Sequence, residues 1–243
     1  MTSGPRLFEQ TFPTPAENLA CDEALLDEAE AGRGSAVLRF WEAARPFVVL
    51  GFANKLQEEV NETACRNLGV PILRRCSGGG TVVQGPGCLN YALILPAGET
   101  GPLRNVTSTN AFVMQRHQQA LTALVRREIT VEGVTDLAIG QLKFSGNAQR
   151  RRREWLLFHG TFLYGFDLEW IPQLLLQPPR QPSYRLSRPH QEFVTLLPAN
   201  RSAIQKALSD AWQAGSGEVE LPATVVATLA AEKYAKEAWT RRC

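Results

Sequence analysis

Apolar residues recur at helical spacing along "PAENLACDEALLDEAEAG" (15–32): Leu19, Leu25 and Leu26 share a stripe, with Thr14 as the cap and Pro15 in the first turn. The pattern then shortens. "AVLRFWEA" (36–43) and "FVVLGF" (47–52) read as strands joined by a turn at Arg45-Pro46, and "QEEVNETACRNLG" (57–69) reads as one short helix that Gly69 stops. Three more strands follow closely, "VPILRR" (70–75), "GTVVQ" (80–84) and "CLNYALIL" (88–95), before the longest helical pattern, "TSTNAFVMQRHQQALTALVRRE" (107–128). His117 lies on that helix, on its surface or in its packing.

Short strands return in "DLAIGQLKFSGNAQRRRREWLLFHGTFLYGFDL" (136–168), the last of them "WLLFHGTFLYGF" (155–166). The arginines at 150–153 fall between strands, which predicts a solvated hairpin tip, or a basic patch that steers an acidic partner. A proline-rich stretch (174–191) breaks regular structure, and two amphipathic segments (203–215 and 223–239) close the chain as helices. Strands gathered in the middle with helices around them predict one α+β domain over residues 1–243.

Composition narrows the class. Hydrophobic residues at 44% and charged residues at 21% suit a globular chain, and the net charge of +2 selects no partner. Neither a leader pattern nor a run of about 18 apolar residues is present, so a cytoplasmic protein without membrane or nucleic-acid partners is expected. Five scattered cysteines with no CxxC spacing indicate neither a disulfide framework nor a zinc site.

The candidate chemistry lies in two stretches. "RRCSGGGTVVQGPGCLNY" (74–91) sets three glycines behind two arginines, and bare N–H groups of this kind grip anionic oxygens. Strand alternation turns one arginine into the hollow, and Arg75, nearer the loop, is the candidate. The second stretch is "KFSGNAQ" (143–149). Lys143 is the only lysine between Lys55 and Lys206, in a span with fifteen arginines, and a compact ammonium among small residues suits charge developing on phosphate or acyl oxygens.

Together "RRCSGGGTVV…LNY", "DLAIGQLKFSGNAQR" and "HGTFLYGFDL", with "NLACDEALL" and "FVVLGFANKLQEEVN" before them, resemble the lipoate–protein ligases, in the superfamily of biotin ligases and octanoyltransferases. The likeness runs from about residue 16 to about residue 200. It implies a central mixed, largely antiparallel sheet flanked by helices, as in biotin/lipoate protein ligase catalytic domains. It further implies ATP-dependent activation of lipoate or octanoate and transfer to a lysine of an apo carrier, either a lipoyl domain or a glycine-cleavage H-like protein.

Lys143 matches the family's catalytic lysine, and Arg75, Ser77, Gly78, Gly79 and Gly80 match its loop over the acyl-adenylate. Asn90 also remains. Asp136 matches an acidic position, where Mg²⁺ would arrive with ATP and no metal would be held by protein ligands alone. Gly146, Ala148, His159, Gly160 and Thr161 match pocket-lining blocks, His159 shaping the pocket rather than acting as a base.

The chain also departs from the pattern. Where the family reads "HDLGNLNY" this sequence has "QGPGCLNY", so Gln84, Gly85 and Cys88 replace histidine, aspartate and asparagine. Cys88 is thus a candidate nucleophile or specificity residue. A C-terminal accessory domain is not expected, and its role would fall to a separate chain or to none. Two alternatives stay open: an octanoyl or lipoyl transferase using Cys88, and a non-catalytic acyl-adenylate binding protein. Related cysteine transferases carry their nucleophile shortly before the lysine block, where no cysteine stands here.

Overall fold

Thr14 accepts the amide of Glu17 at 3.2 Å while the Glu17 carboxylate accepts the amide of Thr14 at 2.9 Å, and this reciprocal box starts α1 (Pro15–Glu30). The computed structural model describes residues 4–243; residues 1–3, where the segment read for a leader begins, lie outside the described residues. Around α1 are wrapped β1 (Arg6–Phe8), β2 (Val37–Trp41), β3 (Phe47–Leu50), α2 (Leu56–Glu59), α3 (Glu62–Asn67), β4 (Ile72–Arg74), β5 (Val82–Gln84), β6 (Cys88–Pro96) and α4 (Val106–Val125). The rest of the chain adds β7 (Thr130–Glu132), β8 (Asp136–Ile139), β9 (Leu142–Arg151), β10 (Trp155–Leu163), α5 (Trp170–Leu174), α6 (Arg201–Trp212), α7 (Ala223–Leu229) and α8 (Glu237–Thr240).

Seven strands form one mixed sheet in the order β1-β2-β6-β10-β9-β8-β7, antiparallel at every step except β1 with β2. The expected α+β architecture is therefore present. All five residues of β2 are buried because helices cover both faces. Val37 and Trp41 join the core under α1 and α7, while Leu38 and Phe40 join the core under α4 and α6. Each fully buried side chain of this size contributes about 1.5–3 kcal/mol relative to exposure.

Three features differ from the sequence reading. The strands read at 70–75 and 80–84 do not enter the central sheet; they flank β3 in a second sheet ordered β4-β3-β5. The helix read over 57–69 is two helices, because Val60 turns extended to bridge Leu175 and the Asn61 side chain caps the second helix at Ala64. The last helical segment likewise ends α7 in a wide turn, in which the amide of Ala235 reaches the carbonyl of Ala230 at 2.8 Å, before α8 begins. His117 resolves to packing: it is buried, Trp212 Nε1 donates to its Nε2 at 2.9 Å, and burial pushes its pKa down to about 3.

Candidate active site

The second sheet lies over the central one, and between them opens a cleft of about 490 Å³. Val49, Val82 and Gln84 line it from the smaller sheet, with Phe47 on the same face in the core beside them, by the alternation that sends Val48, Leu50 and Val83 toward a separate apolar cluster. The facing rows of the large sheet follow from its register. Trp41, Asn90, Thr161 and Gly146 stand side by side across four strands, and Arg39, Ala92, His159 and Ala148 form the next row.

Lys143 reaches this face through a bulge. Leu137 pairs with Ser145 but Ala138 pairs with Lys143, so Phe144 is an extra residue in β9, and it packs in the core under α4. The bulge breaks the alternation and brings Lys143 to the same side as Gly146. Its Nζ lies where a side chain at 146 would stand, 2.9 Å from the position of a Cβ there, and pairs with Asp136 Oδ1 at 2.8 Å. Gly146 is thus required by the lysine's position. Tyr184, from the proline-rich stretch, donates its hydroxyl to the other Asp136 oxygen at 2.8 Å, and burial together with the Asp136 charge pushes the Tyr184 pKa well up.

A Gly146→Ala variant is expected to keep its stability within about 1 kcal/mol, since the obstructing atom is the end of a flexible side chain. The displaced ammonium should lower turnover about tenfold or more. Urea unfolding and steady-state rates on the same preparation test this; wild-type turnover would refute the seating described.

The glycine loop is held from within. Arg75 donates to the carbonyls of Gly78 and Gly80 and to Ser77 Oγ, and burial pulls its pKa down to about 10. Gly79 adopts φ of +86° with its Cβ position 2.9 Å from an Arg75 nitrogen, so conformation and space both ask for glycine there. Arg74 turns away, as expected, and donates to the carbonyls of Gly51, Asn54 and Thr240.

His159 Nδ1 lies 3.1 Å from Asp22 Oδ2 and its Nε2 lies 2.5 Å from Ser77 Oγ. Because the Asp22 carboxylate only accepts, Nδ1 donates to it, and Nε2 shares the second bond with the Ser77 hydroxyl. The order of groups is that of a serine nucleophile triad, yet Ser77 is 1% exposed and also receives the Nε–H of Arg75 at 3.1 Å. It is a tie between loop and sheet. His159 accordingly shapes the pocket wall.

Of the residues singled out from sequence, Arg75, Gly79, Gly80, Asn90, Asp136 and Lys143 border the cleft together with Gly146, Ala148, His159, Gly160 and Thr161. Ser77, buried, and Gly78, exposed on the loop, do not line it. Cys88 does not reach the cleft: it is fully buried in the cluster of Val83, Phe166, Ile171 and Leu174, and burial raises its thiol pKa far above the ordinary range. The other cysteines are also absent from the cleft wall. The nucleophile role for Cys88 has no geometric support.

The arginine run is not a solvated tip either. Arg150 lies over the Phe52 ring at 5.5 Å, Arg151 donates to the Leu103 carbonyl at 2.8 Å, Arg152 pairs with Asp27 at 2.6 Å, and Arg153 alone is exposed. It therefore offers one guanidinium, not four, to an acidic partner.

Asp22, Trp41, Asn147 and Tyr184 also border the site or brace it and were not read from sequence. Asp22 carried a signal, an acidic pair with Glu23 inside the apolar run of α1, and both are buried: Asp22 binds Arg39 and Glu23 binds Lys233. Among the described residues no three His, Cys, Asp or Glu side chains cluster as metal ligands, and no helix is long and apolar enough to cross a membrane.

The fold has known counterparts. The chain superposes on the bipartite lipoate protein ligase of Thermoplasma acidophilum, studied with its E2 lipoyl domain, at a TM-score of 0.81 with 20% identity over 98% of this chain and 96% of that one. It superposes on a lipoate-protein ligase A bound with ATP at 0.78, with 22% identity over 98% of both chains. In sequence it is 32% identical to the octanoyltransferase LipM of Carboxydothermus hydrogenoformans over 187 residues, 70% of this chain and 68% of that protein. The family description "Lipoyl protein ligase A/B catalytic domain" matches residues 14–199, and the chain belongs to that family.

Proposed function

We propose that the chain is an adenylate-forming lipoate–protein ligase. The carboxylate of lipoate or octanoate attacks the α-phosphorus of ATP, pyrophosphate leaves, and a carrier lysine then attacks the mixed anhydride to form the amide and release AMP. The observation that carries this reading is the seat of Lys143: one ammonium, freed from strand alternation by a bulge, faces a glycine loop across a cleft of acyl dimensions. There it would meet the acyl and phosphate oxygens on which charge develops.

Loop amides and Lys143 supply the electrostatics, and Asn90, Thr161 and Trp41 line the acyl run. Mg²⁺ would enter on the phosphates of ATP, its usual mode at nucleotide sites, with Asp136 as the carboxylate beside Lys143. The carrier is a lipoyl domain or an H-like protein. The two-part Thermoplasma relative supports a separate accessory chain for this protein as well.

Likeness to LipM keeps an octanoyltransferase reading in view, but with no thiol on the cleft wall it would need direct transfer between carriers. Intact mass of an apo lipoyl domain, incubated with lipoate or octanoate and with or without ATP, separates the two. Acylation is expected only with ATP and free acid. Acylation from an octanoyl-carrier without ATP would replace the ligase reading.

A further inference from the structure

Two buried polar atoms on the cleft wall have no partner in the protein, the Trp41 Nε1 donor and the Gln84 Oε1 acceptor. Trp41 is 1% exposed and Gln84 7%. Their polarity is fixed by the bonds around them. Asn90 gives its Nδ2 to the Cys88 carbonyl at 3.4 Å, which turns its Oδ1 to Thr161. The single hydroxyl proton of Thr161 goes to that oxygen at 2.6 Å, so Thr161 can only accept from Gln84 Nε2, at 3.0 Å. Gln84 Oε1 is left over as an acceptor, and the indole nitrogen can only donate.

Trp41 lies away from Lys143 along one row, and Gln84, on β5 across the cleft, bonds to Thr161 within that row. Lys143 Nζ sits over Gly146, and Gly146, Thr161, Asn90 and Trp41 are register partners on successive strands. Three strand spacings of about 4.8 Å make a run of about 14 Å. An extended chain advances about 1.2 Å per bond, as three backbone bonds advance about 3.5 Å, so an eight-carbon acid covers about 9 Å. A contact of about 3 Å at each end completes the run. With its carboxyl at Lys143, the tail of such an acid passes Gln84, which stands over Thr161, and ends at Trp41.

We propose that this inner end is a hydrogen-bonding subsite for an acyl acid whose tail carries a hydroxyl or thiol. The tail X–H donates to Gln84 Oε1, and a lone pair on the same or a neighbouring atom accepts from Trp41 Nε1. A plain alkyl tail, or a cyclic disulfide with no X–H, leaves the Gln84 acceptor buried and unpaired. The proposal rests on reading the cleft as the acyl site. It makes Gln84, where the family pattern has histidine, a specificity residue of this chain.

Calorimetric titration of the full chain with octanoate, 8-hydroxyoctanoate, lipoate and dihydrolipoate tests it. The hydroxy acid should bind about tenfold or more tightly than octanoate, and dihydrolipoate more tightly than lipoate, because a buried acceptor without its donor carries its whole desolvation cost. Gln84→Leu should abolish both preferences, each read as the ratio of affinities within its pair of acids. Trp41→Phe, which removes only the donor and some ring area, should narrow them and serves if the first variant does not fold. Equal affinity within each pair, or preferences that survive in both variants, overturns the subsite. Binding of none of the four acids, with no ATP-dependent acylation, overturns the acyl reading itself.

Discussion

Lys143→Met is expected to lower carrier acylation about a hundredfold to a thousandfold, the range for removing one preorganised group from developing charge. Methionine keeps an unbranched stem beside Phe193 and Gly146 and deletes only the ammonium. The loss should fall on both half-reactions, because the same Nζ would face the acyl oxygen when the adenylate forms and when the carrier amine attacks. Pyrophosphate release and carrier mass would report the two steps separately.

Lys143→Arg should not rescue either step, since a planar fork cannot occupy the point over Gly146 that a compact ammonium fills. Removing the charge leaves Asp136 facing Tyr184 alone, so a Lys143→Met/Asp136→Asn double variant checks that the loss is not merely carboxylate repulsion of the substrate. Retention of a third of the wild-type rate by Lys143→Met would end the catalytic assignment.

Arg39→Met should cost about 3–5 kcal/mol of stability, the range for stranding one member of a buried ion pair. Arg39 is 0% exposed and Asp22 2%, with Nη1 to Oδ1 at 2.5 Å, and the same guanidinium donates to the Asn18 carbonyl, to Asn18 Oδ1 and to the Gln10 carbonyl. Its removal leaves a carboxylate in the core under α1, with only His159 beside it. Adding Asp22→Asn should recover part of the loss, because an amide tolerates the site better than an unpaired charge. Urea midpoints for the two single variants and the double variant close the cycle, and additive costs would show that the pair is not coupled.

Much of this could be read from residues that act locally. Thr14 and Pro15 mark the start of α1 because a cap is a matter of a few neighbouring residues. The glycine loop and Lys143 were legible because their chemistry needs rare residue types at fixed positions.

What escaped depends on pairing over long separations. No property of Val60 announces that Leu175 will bridge it and split a helix. The bulge at Phe144 exists only relative to β8, and the place of Tyr184 only relative to Asp136. Strand alternation told Arg74 from Arg75, but not that Arg74 would reach the Thr240 carbonyl near the far end of the chain. Cys88 drew notice as a departure from the family pattern, but its burial is decided by the cluster around Phe166.

The two walls of the cleft belong to different sheets, and β5 forms no ladder with any strand of the larger one. The polar ties across the gap include Ser77 to His159 and Gln84 to Thr161, each a single side-chain bond. Widening the cleft would break no strand pairing, but it would part the apolar cluster that Phe47, Val49 and Leu73 share with Trp41, Ala92 and Leu157. The two walls of the site are thus held to each other by apolar contact and single side-chain bonds, while backbone pairing within each wall keeps its own row of residues in register.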